Sequence, residues 1–157
     1  MRKIIINPAQ QQNLPPDQNW LNLEELAVVE ITSEDESYPI ESALLPGKVS
    51  GWRAASPGKQ TIKLSFDTPQ RIQWIRLKFE ETNIERTQEY VLRWSPDNGQ
   101  SYQEIVRQQW NFSPLGATSE KEDYQVDLPA VTALELIITP DISGKNAHAS
   151  LAQMRIA

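Results

Sequence analysis

Alternation of apolar and polar residues, cut at short intervals by turn formers, is the feature that most limits what this chain can become. Ile62, Leu64 and Phe66 alternate with Thr61, Lys63 and Ser65, a period that puts one face of a strand against a core and the other in water. Tyr90, Leu92 and Trp94 repeat the pattern, as do Tyr124, Val126 and Leu128, then Leu134, Leu136 and Ile138, then Ala152, Met154 and Ile156. Residues 102–110 form a further extended run. Residues 71–79 carry Ile72, Trp74, Ile75, Leu77 and Phe79. Their alternation slips by one between Trp74 and Ile75, which marks a bulge or a strand covered on both faces. Asp67-Thr68-Pro69, Asp97-Asn98-Gly99, Ser113-Pro114-Leu115-Gly116, Pro140-Asp141 and Ser143-Gly144 supply the turns.

With Ala27 to Ile31 added, about eight strands with short connections read as an all-β sandwich. Single helical turns are expected over 22–26, where Asn22 and Glu25 have capping-box spacing, and over 40–45, ended by Pro46-Gly47. The organisation is an N-terminal strand and extended arm over 1–19, held extended by Pro8, Pro15 and Pro16, then one sandwich domain over 20–157.

Composition removes several chemistries. The chain has 157 residues, no Cys and 1 His, so thiol catalysis, disulfides and multi-histidine metal centres are excluded. Its net charge of −6, with no basic patch, argues against nucleic acid as a partner. No apolar run approaches the roughly 18 residues of a membrane span. The apolar stretch Ile4-Ile5-Ile6 is too short for a signal-peptide core, so a cytoplasmic location is expected. No Gly-x-Ser-x-Gly, His-Glu-x-x-His or phosphate-cradling glycine motif occurs. The acidic runs Glu34-Asp35-Glu36 and Glu120-Lys121-Glu122-Asp123 read as solvated surface rather than paired catalytic acids. The chain is therefore expected not to be an enzyme.

The sharpest local signal is Ser95-Pro96-Asp97-Asn98-Gly99-Gln100-Ser101-Tyr102. Asn-Gly allows the positive φ angles of a tight hairpin, and Asp97 can bind the turn's own amides. Tyr102 is expected to pack back beside Trp94. The same segment, from Tyr90 through Tyr102, resembles the hairpin of the discoidin, or coagulation factor 5/8 type C, family. Gly51-Trp52-Arg53-Ala54-Ala55 followed by two strands is similar to that family's order, and Ala149 to Ile156 to its closing strand. The resemblance implies a galactose-binding-like jelly roll, with Trp52 as the family's buried Trp. Many members bind carbohydrate, some bind lipid headgroups and some bind proteins. Members often hold a structural calcium near a loop reading Asp-Gly ahead of the Trp, with a Glu in the closing strand. Here that loop reads Leu44-Leu45-Pro46-Gly47-Lys48-Val49 and the closing strand carries Gln153. A hard cation prefers anionic oxygens, so no cofactor is expected and calcium is disfavoured.

Counting outward from the Asn98-Gly99 turn brings 86–88 opposite 108–110. Arg86, Gln88, Gln108 and Trp110 then gather at one rim, with Asn111 beside them and Tyr38, Asn146 and His148 as further rim members. An exposed Trp stacks on a sugar ring while amides and Arg hold its hydroxyls. Cross-strand surface pairing and a Trp covering the sandwich end explain the same residues without a ligand. The expected function is a non-catalytic module that binds a carbohydrate or similar polar ligand through loops at one end. The alternative is a cytoplasmic protein-interaction or assembly module. Oligomeric state stays open, since exposed strand edges can pair two copies.

Overall fold

Two 21-residue strands organise the molecule, β3 (Gln60–Glu80) and β6 (Ser119–Thr139), each long enough to serve two layers in turn. The computed structural model describes residues 1–3 and 19–157. The strand and arm expected over 1–19 therefore lie, but for 1–3 and 19, outside the described residues. The other strands are β1 (Ala27–Ile31), β2 (Trp52–Pro57), β4 (Arg86–Ser95), β5 (Gln103–Phe112), β7 (His148–Leu151) and β8 (Gln153–Ile156). One turn of helix precedes β1, α1 (Leu23–Leu26), and another follows it, α2 (Glu41–Leu44). Asn22 makes no side-chain cap, so the capping box suggested by its spacing does not form.

The first half of β3 pairs with β1 and with the second half of β6, and β6 continues to β4 and β5. The second half of β3 pairs with the first half of β6 and with β8. The pairing changes register between Ser65 and Trp74, where both strands cross from one layer to the other. This is how β-sandwich corners are made. Asp67-Thr68-Pro69, expected as a turn, lies within that crossing, and the strand continues through it. The slip anticipated near Trp74 falls at this register shift.

The period-two pattern is realised as rows. Ile31, Ile62, Leu136, Leu92 and Val106 lie opposite one another across five strands on the inner face. Ile75, Leu77, Phe79, Met154 and Ile156 cover them from the other layer, all buried. The next row over faces outward as Glu30, Lys63, Glu135, Arg93 and Glu104, alternating in sign at every step. Such opposite-charge pairs contribute roughly 0.2–1 kcal/mol each; the fold rests on the buried rows.

Two details of the sequence reading are corrected. Tyr102 lies under the Arg93 guanidinium, 4.1 Å from its ring centroid, and it is Gln103 that pairs with Trp94. Glu120 is not solvated. It sits on β6 opposite Phe79, facing inward with 2 % of its surface exposed.

Candidate functional site

The β4–β5 ribbon does not present the rim that counting from its turn suggests. Gln88 pairs with Trp110 and Arg86 with Phe112, two residues further along β5 than the count gives. Trp94 pairs with Gln103 and not with Tyr102, which moves the register by one residue, and a register shift between Leu92 and Arg93 adds the second. Arg86, Gln88, Gln108 and Trp110 share the inward face. Arg86 and Gln88 are buried, and Gln108 and Trp110 are half-buried. Trp110 packs on the core, and its Nε1 is enclosed. Asn111 lies one position over, on the outer face, accepting a hydrogen bond from Thr87 Oγ1 at 2.7 Å. The expectation that an indole and the Arg86 guanidinium share a solvent-facing lip is thus corrected: the guanidinium is enclosed and unavailable to a ligand.

Of the three outlying rim members, Asn146 and His148 line one cleft and Tyr38 lines a separate, smaller depression. The small sheet β2–β7 pairs Trp52 with Leu151, Arg53 with Ser150 and Pro57 with His148. Alternation along β2 sends Trp52 inward, where Nε1 donates to Ser33 O at 3.0 Å, and leaves Arg53 exposed. Around this sheet lies a cleft of about 340 Å³, lined by Asp35, Arg53, Glu80, Glu81, Asn83, Ile84, Asn146, His148 and neighbouring small residues. The smaller depression, of about 80 Å³, shares Arg53, Glu80 and Ser150 with it and is lined also by Tyr38.

Each wall has an identifiable support. The Arg53 N–H donates to Tyr38 O at 3.1 Å and Asp35 N–H to Arg53 O at 2.8 Å, which ties the 33–39 loop to β2. The Arg53 guanidinium lies 4.7 Å from the Tyr38 ring centroid, an attractive arrangement for a cation and an aromatic face. Arg53 makes no ion pair among the described residues. His148 Nδ1 sits 3.1 Å from Ala54 O. A carbonyl only accepts, so Nδ1 is the donor in this bond.

Arg86 stands behind two of these walls. Its Nε donates to Glu81 Oε1 at 2.8 Å, and Nη1 donates to Pro140 O at 2.8 Å and to Gln88 Oε1 at 3.2 Å. Glu81 Oε2 in turn accepts the Asn83 N–H at 3.1 Å. One guanidinium therefore spans the 81–85 loop and the start of the 140–147 loop, which carry Asn83 and Asn146. The Ile142 N–H to Thr87 O bond, at 2.9 Å, fixes the second loop again.

Arg53, Asn83 and Ile84 were not anticipated as site residues. Arg53 was open to detection: the residue after an inward Trp on a strand points outward. Asn83 and Ile84 belong to a loop whose path depends on Arg86, and no local pattern records that.

The calcium implied by the resemblance does not fit the residues at its place. The Arg155 guanidinium of β8 occupies the 43–45 loop, with Nη1 donating to Ala43 O and to Met154 O at 2.8 Å each, and Nη2 to Leu45 O at 3.1 Å. Among the described residues no group of three or more His, Asp or Glu side chains is placed to hold a metal ion.

No protein-family model and no curated protein matches the sequence. Solved structures do. A family 32 carbohydrate-binding module from Clostridium perfringens, in complex with GalNAc-β-1,3-galactose, aligns at TM-score 0.64 and 17 % identity over 88 % of this chain and 99 % of that one. A chitosan-binding module from a chitosanase/glucanase of Paenibacillus sp. IK-5 aligns at 0.62 and 15 %, over 87 % and 98 %. The family 32 module of AlyQ, in complex with 4,5-unsaturated mannuronic acid, aligns at 0.57 and 17 %, over 85 % and 95 %. The fold is the discoidin, galactose-binding-like β-sandwich that these modules share.

Proposed function

We propose that this chain is a non-catalytic carbohydrate-binding module and that its ligand, a sugar residue, sits in the cleft over β2–β7. The observation that carries this reading is Arg53: a guanidinium laid on the Tyr38 ring, exposed at the cleft mouth, with no ion-pair partner of its own among the described residues. Guanidinium N–H groups in fork geometry match a pair of adjacent hydroxyls or a ring oxygen and its neighbour. The Asn83 and Asn146 amides add donors and acceptors, and His148 adds its second ring nitrogen. Ile84 offers an apolar patch to a ring face. Tyr38, Asn146 and His148 thus remain ligand contacts in this reading. Arg86 acts through the loops it ties, and Gln88, Gln108, Trp110 and Asn111 drop out of the contact set.

Neighbours with this fold are described with a neutral disaccharide, with chitosan binding and with a uronic acid, so fold alone does not select a sugar. The test is a glycan array run with the wild-type chain and with Arg53→Ala. The reading predicts retention on at least one glycan class by the wild type, and a loss of at least about tenfold in affinity for Arg53→Ala, since hydrogen bonds to a charged group contribute roughly 1.5–3 kcal/mol. An array without hits, or an identical profile for the variant, overturns it. A stoichiometric protein partner recovered from extract, with no glycan retained, would favour the interaction-module alternative.

A further inference from the structure

We infer that Arg155 takes the place of a structural cation in this fold, so that the loop at this corner of the sandwich is locked by a guanidinium belonging to the chain itself and not by calcium. The carbonyls of Ala43 and Leu45 converge from the end of α2, and that of Met154 from β8. Convergent carbonyls require positive charge or donors, and either a metal ion or a guanidinium supplies them. At 2.8–3.1 Å the separations are those of N–H donors.

Three further observations exclude both cations sharing the corner. The loop after α2, Leu45-Pro46-Gly47-Lys48-Val49, contributes a lysine and no carboxylate. In the closing strand, position 153 is an uncharged Gln. The Arg155 side chain is buried, with no carboxylate bonded to it among the described residues. Burial pushes its pKa down, and the Arg76 guanidinium pushes it the same way. A divalent ion added here would face uncompensated like charge at short range.

The corner also bears on the rest of the molecule. Among the described residues, β8 pairs with β3 through Ile75, Arg76, Leu77 and Lys78. Arg155 reaches from it to the α2 loop, which packs Ala43 and Leu44 into the core. The guanidinium therefore joins segments 110 or more residues apart in sequence. A residue in the chain does this at every calcium concentration.

Thermal unfolding of the full chain in excess EDTA, and again in millimolar calcium chloride, tests the inference, with Arg155→Met and Arg155→Lys measured in both. The wild-type Tm is expected to agree between the two conditions within about 1 °C. Arg155→Met is expected to fall by about 5–10 °C in both, as three carbonyls lose their charged donor. Calcium is expected not to restore it. Arg155→Lys, which keeps the charge but not the fork, is expected between the two. A wild-type Tm that drops in EDTA or climbs with calcium overturns the inference, even if Arg155→Met does not fold. An Arg155→Met variant as stable as the wild type overturns it as well.

Discussion

Arg86 Nε donates to Glu81 Oε1 at 2.8 Å inside the protein, with the arginine side chain fully enclosed and the glutamate facing the cleft. That contact joins the floor of the β4–β5 ribbon to the wall of the candidate site. The sequence pattern suggested Arg86 as a ligand contact; its guanidinium is instead buried and bonded to Glu81, Gln88 and Pro140, and under the proposed function it acts through the loops it ties.

Arg86→Met should therefore lower stability and affinity together. Breaking a buried pair leaves Glu81 and Pro140 O without their donor, at a cost of about 3–5 kcal/mol. Arg86→Lys retains charge but loses the bridging geometry. It should fold, and it should bind retained glycans more weakly than the wild type. Denaturant unfolding and calorimetric titration on the same samples separate the two effects. An Arg86→Lys variant with unchanged affinity would remove the positioning role.

Glu120 should make the protein less stable as pH rises. Burial, with the Glu122 carboxylate beside it, raises its carboxyl to about 7 from an ordinary 4.5. Neither carboxyl oxygen has a hydrogen-bond partner among the described residues. Between those values the folded chain holds a proton that the unfolded chain has released, so this group's contribution is full below 4.5 and is lost as pH climbs through 7. Glu120→Gln, neutral throughout, should match the wild type near pH 4 and exceed it by about 1–3 kcal/mol at pH 8. Equal pH profiles for the two proteins would refute this.

Gly51 should not accept a side chain. Its φ is +71°, and a Cβ there would lie 2.8 Å from Leu151 O and 3.0 Å from Ala152 Cα, both backbone atoms. Gly51→Ala must push β2 from β7, the pair that carries Arg53 and His148. The left-handed conformation alone costs about 1–2 kcal/mol, and the clash adds to it. Unfolding midpoint and glycan affinity should both fall. A variant with wild-type values would show that the two strands move apart freely.

The hairpin at Asp97 was legible because its chemistry is local. Asp97 Oδ1 accepts the Ser101 N–H at 2.8 Å and Oδ2 its hydroxyl at 2.6 Å, while Ser95 Oγ accepts the Gly99 N–H. Ser101 first, then Ser95, holds the Asp97 carboxyl down at about 2. The inward rows were legible for a similar reason, since the period of two is itself the fold's instruction. The rim was not. Its register depended on a bulge beside Arg93, and one inserted residue changes which side chains meet. Whether Arg86 reaches solvent depended on Glu81 and Pro140, five and fifty-four positions away. Glu120 looked like part of a charged surface run, yet strand alternation turned it inward opposite Phe79.

The site's location is tested most directly by residue-resolved NMR shifts during titration with the glycans that the array retains. The account predicts perturbations centred on Arg53, Asn83, Ile84, Asn146 and His148, with amides of the Gln103–Phe112 strand unmoved. Perturbations centred on Gln108, Trp110 and Asn111, with the β2–β7 amides silent, would contradict it.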